Sequence, residues 1–124
     1  MAKPVRLQLS RRKGFDLQSL SLATNGLPAI VVARPGRWGN PVTKQSFDDV
    51  QAILVASGRS PLSGTWRQHA VKCFDGWIGG EIPELGEPPS IDSIVAELRG
   101  KNLACWCPSG ECCHADVLLG LANE

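Results

Sequence analysis

The order of elements near the carboxyl terminus is the feature that most constrains the fold of this chain. Ser90 is a good helix N-cap, and Gly100 is placed to end that helix. Between them the apolar residues recur at i, i+3, i+4 and i+7, as Ile91, Ile94, Val95 and Leu98. Residues 102–107 then predict a strand, and residues 113–123 predict a closing helix. This helix–strand–helix order is typical of a parallel α/β sheet.

Two earlier segments predict further strands. Residues 5–9 alternate apolar and polar side chains, and residues 29–33 form a short apolar run that suits a strand buried on both faces. The expected fold is α/β, a single domain over residues 1–124. Its sheet should be short and mostly parallel, flanked by about four helices in Rossmann-like layers. Since ligands of such sheets bind beyond the carboxyl ends of strands, the loops that follow strands are the candidate site.

Caps and glycines predict two helices between the second and third strands. The segment 81–89 contains three prolines and three glutamates, which indicates an exposed connector within the domain. Residues 16–28 are polar and irregular, and they predict no regular element. The expected helices run from the N-cap Ser46 to Gly58, and from near Ser63 or Thr65 to Gly79.

Composition indicates a globular chain without a membrane segment. With 124 residues, the chain can form one hydrophobic core but not two ordinary domains. Hydrophobic residues make up 43% and charged residues 20%, which excludes a disordered chain. No apolar run approaches the ~20 residues that cross a bilayer, and residues 1–9 lack the apolar stretch of a signal peptide. We therefore expect a cytoplasmic protein with no membrane partner.

The cysteines cluster rather than spreading over a disulfide scaffold. The chain has five cysteines, an odd number, and nothing in it indicates export. Cys73 stands apart and is expected in the core. The other four fall within nine residues, as Cys105, Cys107, Cys112 and Cys113. In a reducing compartment such a cluster is typical of metal binding or thiol chemistry.

The charge is divided unevenly along the chain. Residues 1–44 carry eight basic residues and one acidic residue, a net charge of +7, whereas residues 45–124 carry five basic and eleven acidic, a net charge of −6. One interpretation is a basic face that attracts an anionic small molecule or nucleic acid. The other is that the two halves pair across the fold.

The loop at 34–41, Arg-Pro-Gly-Arg-Trp-Gly-Asn-Pro, is the first candidate for ligand binding. Arginine forks suit phosphate or carboxylate, the glycines allow a ligand close to the backbone, and an indole offers a stacking face. The alternative is structural, with Trp38 filling the core and Asn40 making a turn. The basic turn at Arg11 and Arg12 could add phosphate contacts or be ordinary solvated surface. The predicted ligand-binding residues are Arg11, Arg12, Arg34, Arg37, Trp38, Gly39 and Asn40.

The segment 105–116 is the second candidate, and it carries the reactive groups. Cys105 and Cys107 share one face of the predicted strand. Cys113 and His114 begin the closing helix, where the helix dipole lowers a thiol pKa. Asp116, in the first turn, could orient a histidine or contact a sugar hydroxyl. These five residues are the predicted catalytic set.

Three interpretations of the cysteines stay open. One is thiol catalysis. The second is a zinc site formed by Cys105, Cys107, Cys113 and His114, although the Cys-x-x-Cys spacing of structural zinc sites is missing and zinc is not favoured. The third is that small apolar cysteines merely pack a corner between a strand and a helix.

These motifs together resemble an uncharacterised bacterial and phage family, the domain of unknown function 4326. The resemblance covers nearly the whole chain. It is carried by the segments 11–14, 34–41 and 70–77, by Leu-Arg-Gly-Lys-Asn-Leu-Ala-Cys-Trp-Cys-Pro at 98–108, and by Cys-His-Ala-Asp-Val-Leu-Leu at 113–119. It implies a single α/β domain and no particular activity. Cys112 lies outside the family pattern and is left out of the site.

The leading hypothesis is an enzyme that acts on a nucleotide, nucleoside or nucleic-acid base. The loop 34–41 would hold the ligand, and the segment 105–116 would line the reacting end. A rival hypothesis is a zinc-stabilised nucleic-acid-binding module without catalysis, for which chelation would unfold the domain and salt would weaken binding. A thiol redox protein is a third hypothesis.

Overall fold

Three short parallel strands form the sheet. The structure is a computed structural model, and it describes residues 3–34, 36–108 and 110–124. Strand β1 is Arg6–Gln8, β2 is Ala29–Val31 and β3 is Asn102–Cys105. The strand order is β1-β3-β2, so the last strand in the chain lies between the first two and pairs parallel with both. The prediction of a small α/β domain with a parallel sheet is confirmed.

Five α-helices accompany these strands in the described ranges, one more than the sequence predicted. A short 3-10 helix, Pro83–Leu85, interrupts the connector 81–89. The helices are α1 (Leu17–Asn25), α2 (Lys44–Ala56), α3 (Trp66–Ile78), α4 (Ile91–Leu98) and α5 (His114–Asn123). None of the helices in these ranges is long and apolar enough to cross a bilayer.

Helices cover both faces of the sheet. On one face, Leu7, Ala29 and Ala104 pack with Leu17 of α1. On the other face lies the main core, which contains Leu103 and Cys105 of β3. Helices α3, α4 and α5 contribute Phe74, Trp77, Ile78, Ile94, Leu98, Ala115, Leu118 and Ala122, and the loop residues Val32, Trp38 and Cys113 complete this core. Alternate residues of β3 serve opposite faces because successive side chains of a strand point in opposite directions.

Helix α1 corrects the expectation that residues 16–28 are irregular. The Asp16 side chain accepts a hydrogen bond from the Ser19 amide at 3.0 Å, and Gly26 ends the helix with φ +78°. The only buried residue of α1 is Ser21, which accepts a hydrogen bond from the Asn102 side chain at 2.8 Å. A hydrophobic stripe is therefore not what attaches this helix, and periodicity could not detect it.

The other helix boundaries follow local capping signals. The N-cap of α2 is Thr43 and not Ser46. Ser46 is the third residue of the helix, and its hydroxyl accepts a hydrogen bond from the Thr43 amide at 2.8 Å, which completes a capping box. A second capping box at Thr65 begins α3 where the sequence predicted it. Ser90 caps α4, and Gly100 follows that helix with φ +77°, as expected.

The parallel topology brings two loops to one edge. Strands β2 and β3 pair side by side, Val31 with Ala104, and both end at the same edge of the sheet. The loop after β2 and the segment after β3 therefore leave from adjacent points. Two of the loops that follow strands, which the sequence marked as the candidate site, therefore lie at the same edge of the sheet.

Candidate functional site

A pocket of about 170 Å³ opens at this edge of the sheet. Three segments line it: the end of β2 with its loop, the first turn of α3, and the segment from β3 to α5. Its lining residues are Ala33, Arg34, Asn40, Val42, Trp66, Arg67, Ala70, Val71, Cys105, Trp106, Cys107, Cys112, Cys113 and His114. Both α3 and α5 direct their amino-terminal ends to the pocket, which favours a negative charge there.

Three sulfur atoms converge on one side of the pocket. The Sγ atoms of Cys105 and Cys113 lie 3.1 Å apart, and both residues are 1% exposed. The Sγ of Cys107, which is half-buried, joins them, and all three sulfurs lie within 4.8 Å of one another. Cys105 ends β3 and Cys113 is the N-cap of α5, so rigid elements hold two of the three. All three are free thiols.

Two arginines surround the sulfurs with positive charge. The charge of the Arg6 guanidinium acts on Cys113 and Cys105, and the Arg6 side chain is only 15% exposed. Asp116 holds Arg6 in place, with 3.2 Å between Nη1 and the carboxylate Oδ2. The charges of Arg67 and Arg6 also act on Cys107. Asp116 therefore contributes to the site by positioning Arg6.

The pKa values of two cluster thiols, Cys105 and Cys107, are shifted in opposite directions. The neighbouring Cys105 and Cys113 thiols, together with Arg67 and Arg6, lower the pKa of Cys107 well below its ordinary value. The pKa of Cys105 is raised by the neighbouring Cys107 and Cys113 and by burial. The Cys107 thiol, the most accessible of the three, therefore loses its proton more readily than the Cys105 thiol.

His114 is fixed beside the cluster. Its Nε2 lies 2.7 Å from the Val32 carbonyl oxygen, and since a carbonyl only accepts, Nε2 carries the proton. The other ring nitrogen, Nδ1, lies 3.6 Å from the Cys113 sulfur. The ring also packs edge-on against Phe74, with 5.0 Å between the centroids. Its contacts make it a support for Cys113.

Trp66 and Arg67 belong to the pocket, and the sequence interpretation missed both. The Arg67 guanidinium stacks over the Trp66 ring at 4.6 Å. Its Nε is buried, and within the described ranges it has no hydrogen-bond partner. The sequence does show that Trp66 and Arg67 directly follow the capping box at Thr65. It does not show that the start of α3 faces the end of β3, which only the tertiary fold decides.

In the loop 34–41, Asn40 and Arg34 line the pocket but are already bonded within the protein. Asn40 is 6% exposed; its side chain donates to the Ala70 carbonyl at 3.0 Å and accepts from the Val42 amide at 2.8 Å. Arg34 donates from Nη1 to the carbonyls of Asn40 and Val42, at 2.7 and 3.1 Å. These bonds fix the wall of the pocket.

The tip of the same loop packs against the protein. Trp38 is 7% exposed and belongs to the main core. Arg37 stacks on the Trp38 ring at 4.6 Å and forms an ion pair with Glu97. Gly39 is required because a Cβ there would come within 2.9 Å of the Arg34 backbone. Pro35, also in this loop, lies outside the described residues.

The basic turn reaches the pocket through one residue. The Arg11 guanidinium lies 5.0 Å from the ring centroid of Trp106, which lines the pocket and is 46% exposed. Arg12 is exposed and does not line the pocket. Cys73, expected in the core, is half-buried on α3, with its sulfur 3.4 Å from the His69 ring.

Comparison with known proteins gives one result. The family model described as "Domain of unknown function (DUF4326)" matches residues 20–124. The chain belongs to this family. No curated protein and no solved structure matches it. The matched range includes the loop 34–41, the start of α3 and the three converging cysteines, but not β1 with Arg6.

Proposed function

We propose that this family member is an enzyme that binds a nucleotide, nucleoside or nucleic-acid base in the pocket at the sheet edge. The observation that carries the proposal is a ring-sized pocket that ends on three sulfurs. Its volume is about 170 Å³; an engineered protein cavity of about 150 Å³ holds one benzene ring. A single six-membered heterocycle therefore fits, with its substituents directed to the mouth.

The walls suit a planar, electron-poor ring. Trp66 and Trp106 line the pocket, and indole faces stack on nucleic-acid bases with little sequence preference. In this proposal they take the stacking role that the sequence suggested for the buried Trp38. Arg11, over the exposed Trp106 ring, extends the basic rim, and Arg12 lies farther out.

An anionic or carbonyl oxygen of the ligand would meet Arg67. Its buried Nε has no partner in the described part of the chain, and such an unpaired donor is costly to bury unless a ligand satisfies it. The amino-terminal ends of α3 and α5 add partial positive charge. Arg34 and Asn40 would shape the wall, while Arg37 and Gly39 keep the loop folded.

The reacting end would be the sulfur cluster with its supports. Cys107 is the most accessible of the three cysteines, and the sulfurs of Cys105 and Cys113 lie within 4.8 Å of its own. His114 holds Cys113, and Asp116 holds Arg6 against the cluster. These residues are the five that the sequence assigned to catalysis.

The test is a binding panel by isothermal titration calorimetry. Free bases, nucleosides and nucleoside monophosphates are titrated into the wild type, Arg67→Ala and Arg99→Ala. Arg99 is the matched control, an exposed arginine that follows α4 and does not line the pocket. A charge-assisted hydrogen bond contributes about 1.5–3 kcal/mol, so Arg67→Ala should weaken binding about ten- to a hundredfold. No binding by the wild type, or equal losses in both variants, would refute the proposal.

A further inference from the structure

The three converging sulfurs have the geometry of a metal centre. A tetrahedral zinc ion with Zn–S bonds of about 2.3 Å holds its sulfur ligands about 3.8 Å apart. Here the sulfurs of Cys105, Cys107 and Cys113 lie within 4.8 Å of one another, and the closest pair is 3.1 Å apart. A change of at most about 1 Å in each sulfur–sulfur distance would bring every pair to the separation that zinc requires.

From this geometry we infer that Cys105, Cys107 and Cys113 bind one zinc ion and leave its fourth position facing the pocket. Thiolate ligands select zinc and other soft ions over magnesium or calcium. Three protein ligands with one open position are typical of catalytic zinc rather than structural zinc. The inference concerns the metal alone and does not depend on the ligand that the pocket binds.

The charges around the cluster fit this assignment. Zinc with three thiolates carries a single net negative charge, which a largely buried site must balance. Arg6 and Arg67 both act on the cluster, and the start of α5 adds its partial positive charge. The salt bridge from Asp116 holds the Arg6 guanidinium near the sulfur cluster. The site would then be close to neutral.

The fourth position remains open because His114 is held elsewhere. His114 does not belong to the group formed by Cys105, Cys107 and Cys113, whose sulfur atoms lie within 4.8 Å of one another. Its Nδ1 is nevertheless 3.6 Å from the Cys113 sulfur. Its Nε2 is bonded to the Val32 carbonyl, and its ring packs on Phe74. All three cysteines line the pocket, so an ion between them has one side toward that space.

The first experiment measures zinc by elemental mass spectrometry in untagged protein. We expect about one zinc per chain in the wild type and in the control variants Cys73→Ser and Cys112→Ser. Cys107→Ser should lose the ion, and because it is half-buried it is the ligand whose replacement disturbs the core least. Loss of a supporting group outside the ligand shell already costs about 10–100-fold in metal affinity, so loss of a ligand should cost more than about a hundredfold.

Cobalt substitution tests the ligands and the open position. Co²⁺ added to zinc-free protein should give intense thiolate charge-transfer bands and the d–d bands of a four-coordinate site, absent in Cys107→Ser. Added imidazole should shift the d–d bands by entering the fourth position. Circular dichroism confirms that each variant is folded.

Two outcomes would overturn the inference. Substoichiometric zinc, with no cobalt–thiolate absorption and five thiols titrating freely in the folded protein, would exclude the centre. Unchanged cobalt bands at saturating imidazole would show a closed site and exclude the open position. Neither readout uses a nucleotide, so a negative nucleotide panel refutes the proposed function and leaves this result unaffected.

Discussion

The two loops at the carboxyl edge of the sheet differ in how they use their polar groups. In the loop after β2 the polar side chains are bonded within the protein. Arg34 donates to two backbone carbonyls, Asn40 uses both the nitrogen and the oxygen of its side-chain amide, and Arg37 pairs with Glu97. The end of β3 and the segment after it leave three thiols directed at one another and at the pocket. The loop after β2 builds the wall of the pocket, and the cysteines bring their sulfur atoms to it.

This difference has a chemical origin. Arginine and asparagine are strong hydrogen-bonding groups, and once buried they must find partners, which a backbone-rich loop supplies. A thiol is a weak donor and can be buried without a strong partner. Clustered cysteines therefore keep their reactivity inside a fold, whereas a loop rich in arginine and glycine can be entirely structural.

The largest expected effect is on stability, at Trp38. Trp38→Ala should lower the free energy of unfolding by about 3–5 kcal/mol, because it empties a core position at the loop tip. Cys107→Ala should cost much less. Urea unfolding followed by circular dichroism measures both, with Trp38→Phe as a milder variant. A cost below about 1 kcal/mol for Trp38→Ala would mean that the loop does not depend on this anchor.

A matched pair of arginines in the same loop sharpens the comparison. Arg34→Ala should destabilise the protein by about 1–3 kcal/mol, because it removes the bonds to the carbonyls of Asn40 and Val42. Arg37→Ala removes an exposed ion pair and should cost less than about 1 kcal/mol. Urea unfolding distinguishes them; equal costs would contradict the structural role assigned to Arg34.

Metal removal tests the other loop. With zinc bound, brief treatment with iodoacetamide should label Cys112 and Cys73 before the three cluster cysteines. A strong chelator should make Cys107 the fastest-labelled site, because it is the most exposed of the former ligands. Peptide mass spectrometry gives the label at each position. Labelling that the chelator does not change would contradict a metal-held cluster.

The smallest effect concerns Cys73, which serves as an internal reference. Burial raises the pKa of this thiol, partly offset by Lys72. It is therefore protonated at neutral pH, and its alkylation rate should keep rising with pH beyond the ordinary thiol range. The pKa of the Cys73 thiol is higher in the folded protein than in the unfolded chain. The proton on this thiol therefore stabilises the folded state at a pH below the unfolded pKa, and this stabilisation is lost as the pH rises through the folded pKa. Labelling rates between pH 7 and 10 test this; a plateau below pH 8 would contradict it.

Local signals were sufficient for most of the fold. The apolar spacing from Ile91 to Leu98, the cap at Ser90 and the left-handed Gly100 each act within one helical turn, so their meaning does not depend on the rest of the chain. Helix α1 was missed for the opposite reason. It is attached to the sheet by the polar Ser21 and Asn25, which bond Asn102 across about eighty positions of sequence.

The candidate site was only half predictable. Clustering of cysteines at residues 105–113 is a property of the sequence and indicated the reactive segment directly. Trp66 and Arg67 were missed because nothing near them in the sequence indicates that the start of α3 faces the end of β3. Trp38 had two open interpretations, and its burial places it in the core.

What the sequence determined by itself is the kind of fold and the segment in which the cysteines cluster. Periodicity, caps and glycines specify a small parallel α/β domain, and the sequence places four of the five cysteines within residues 105–113. The tertiary structure alone decided that Cys105 and Cys113 meet at 3.1 Å and that Arg67 joins them. The physical reason is that a central position for β3 brings together segments from both halves of the chain. Contacts of this range depend on strand order, which no local pattern encodes.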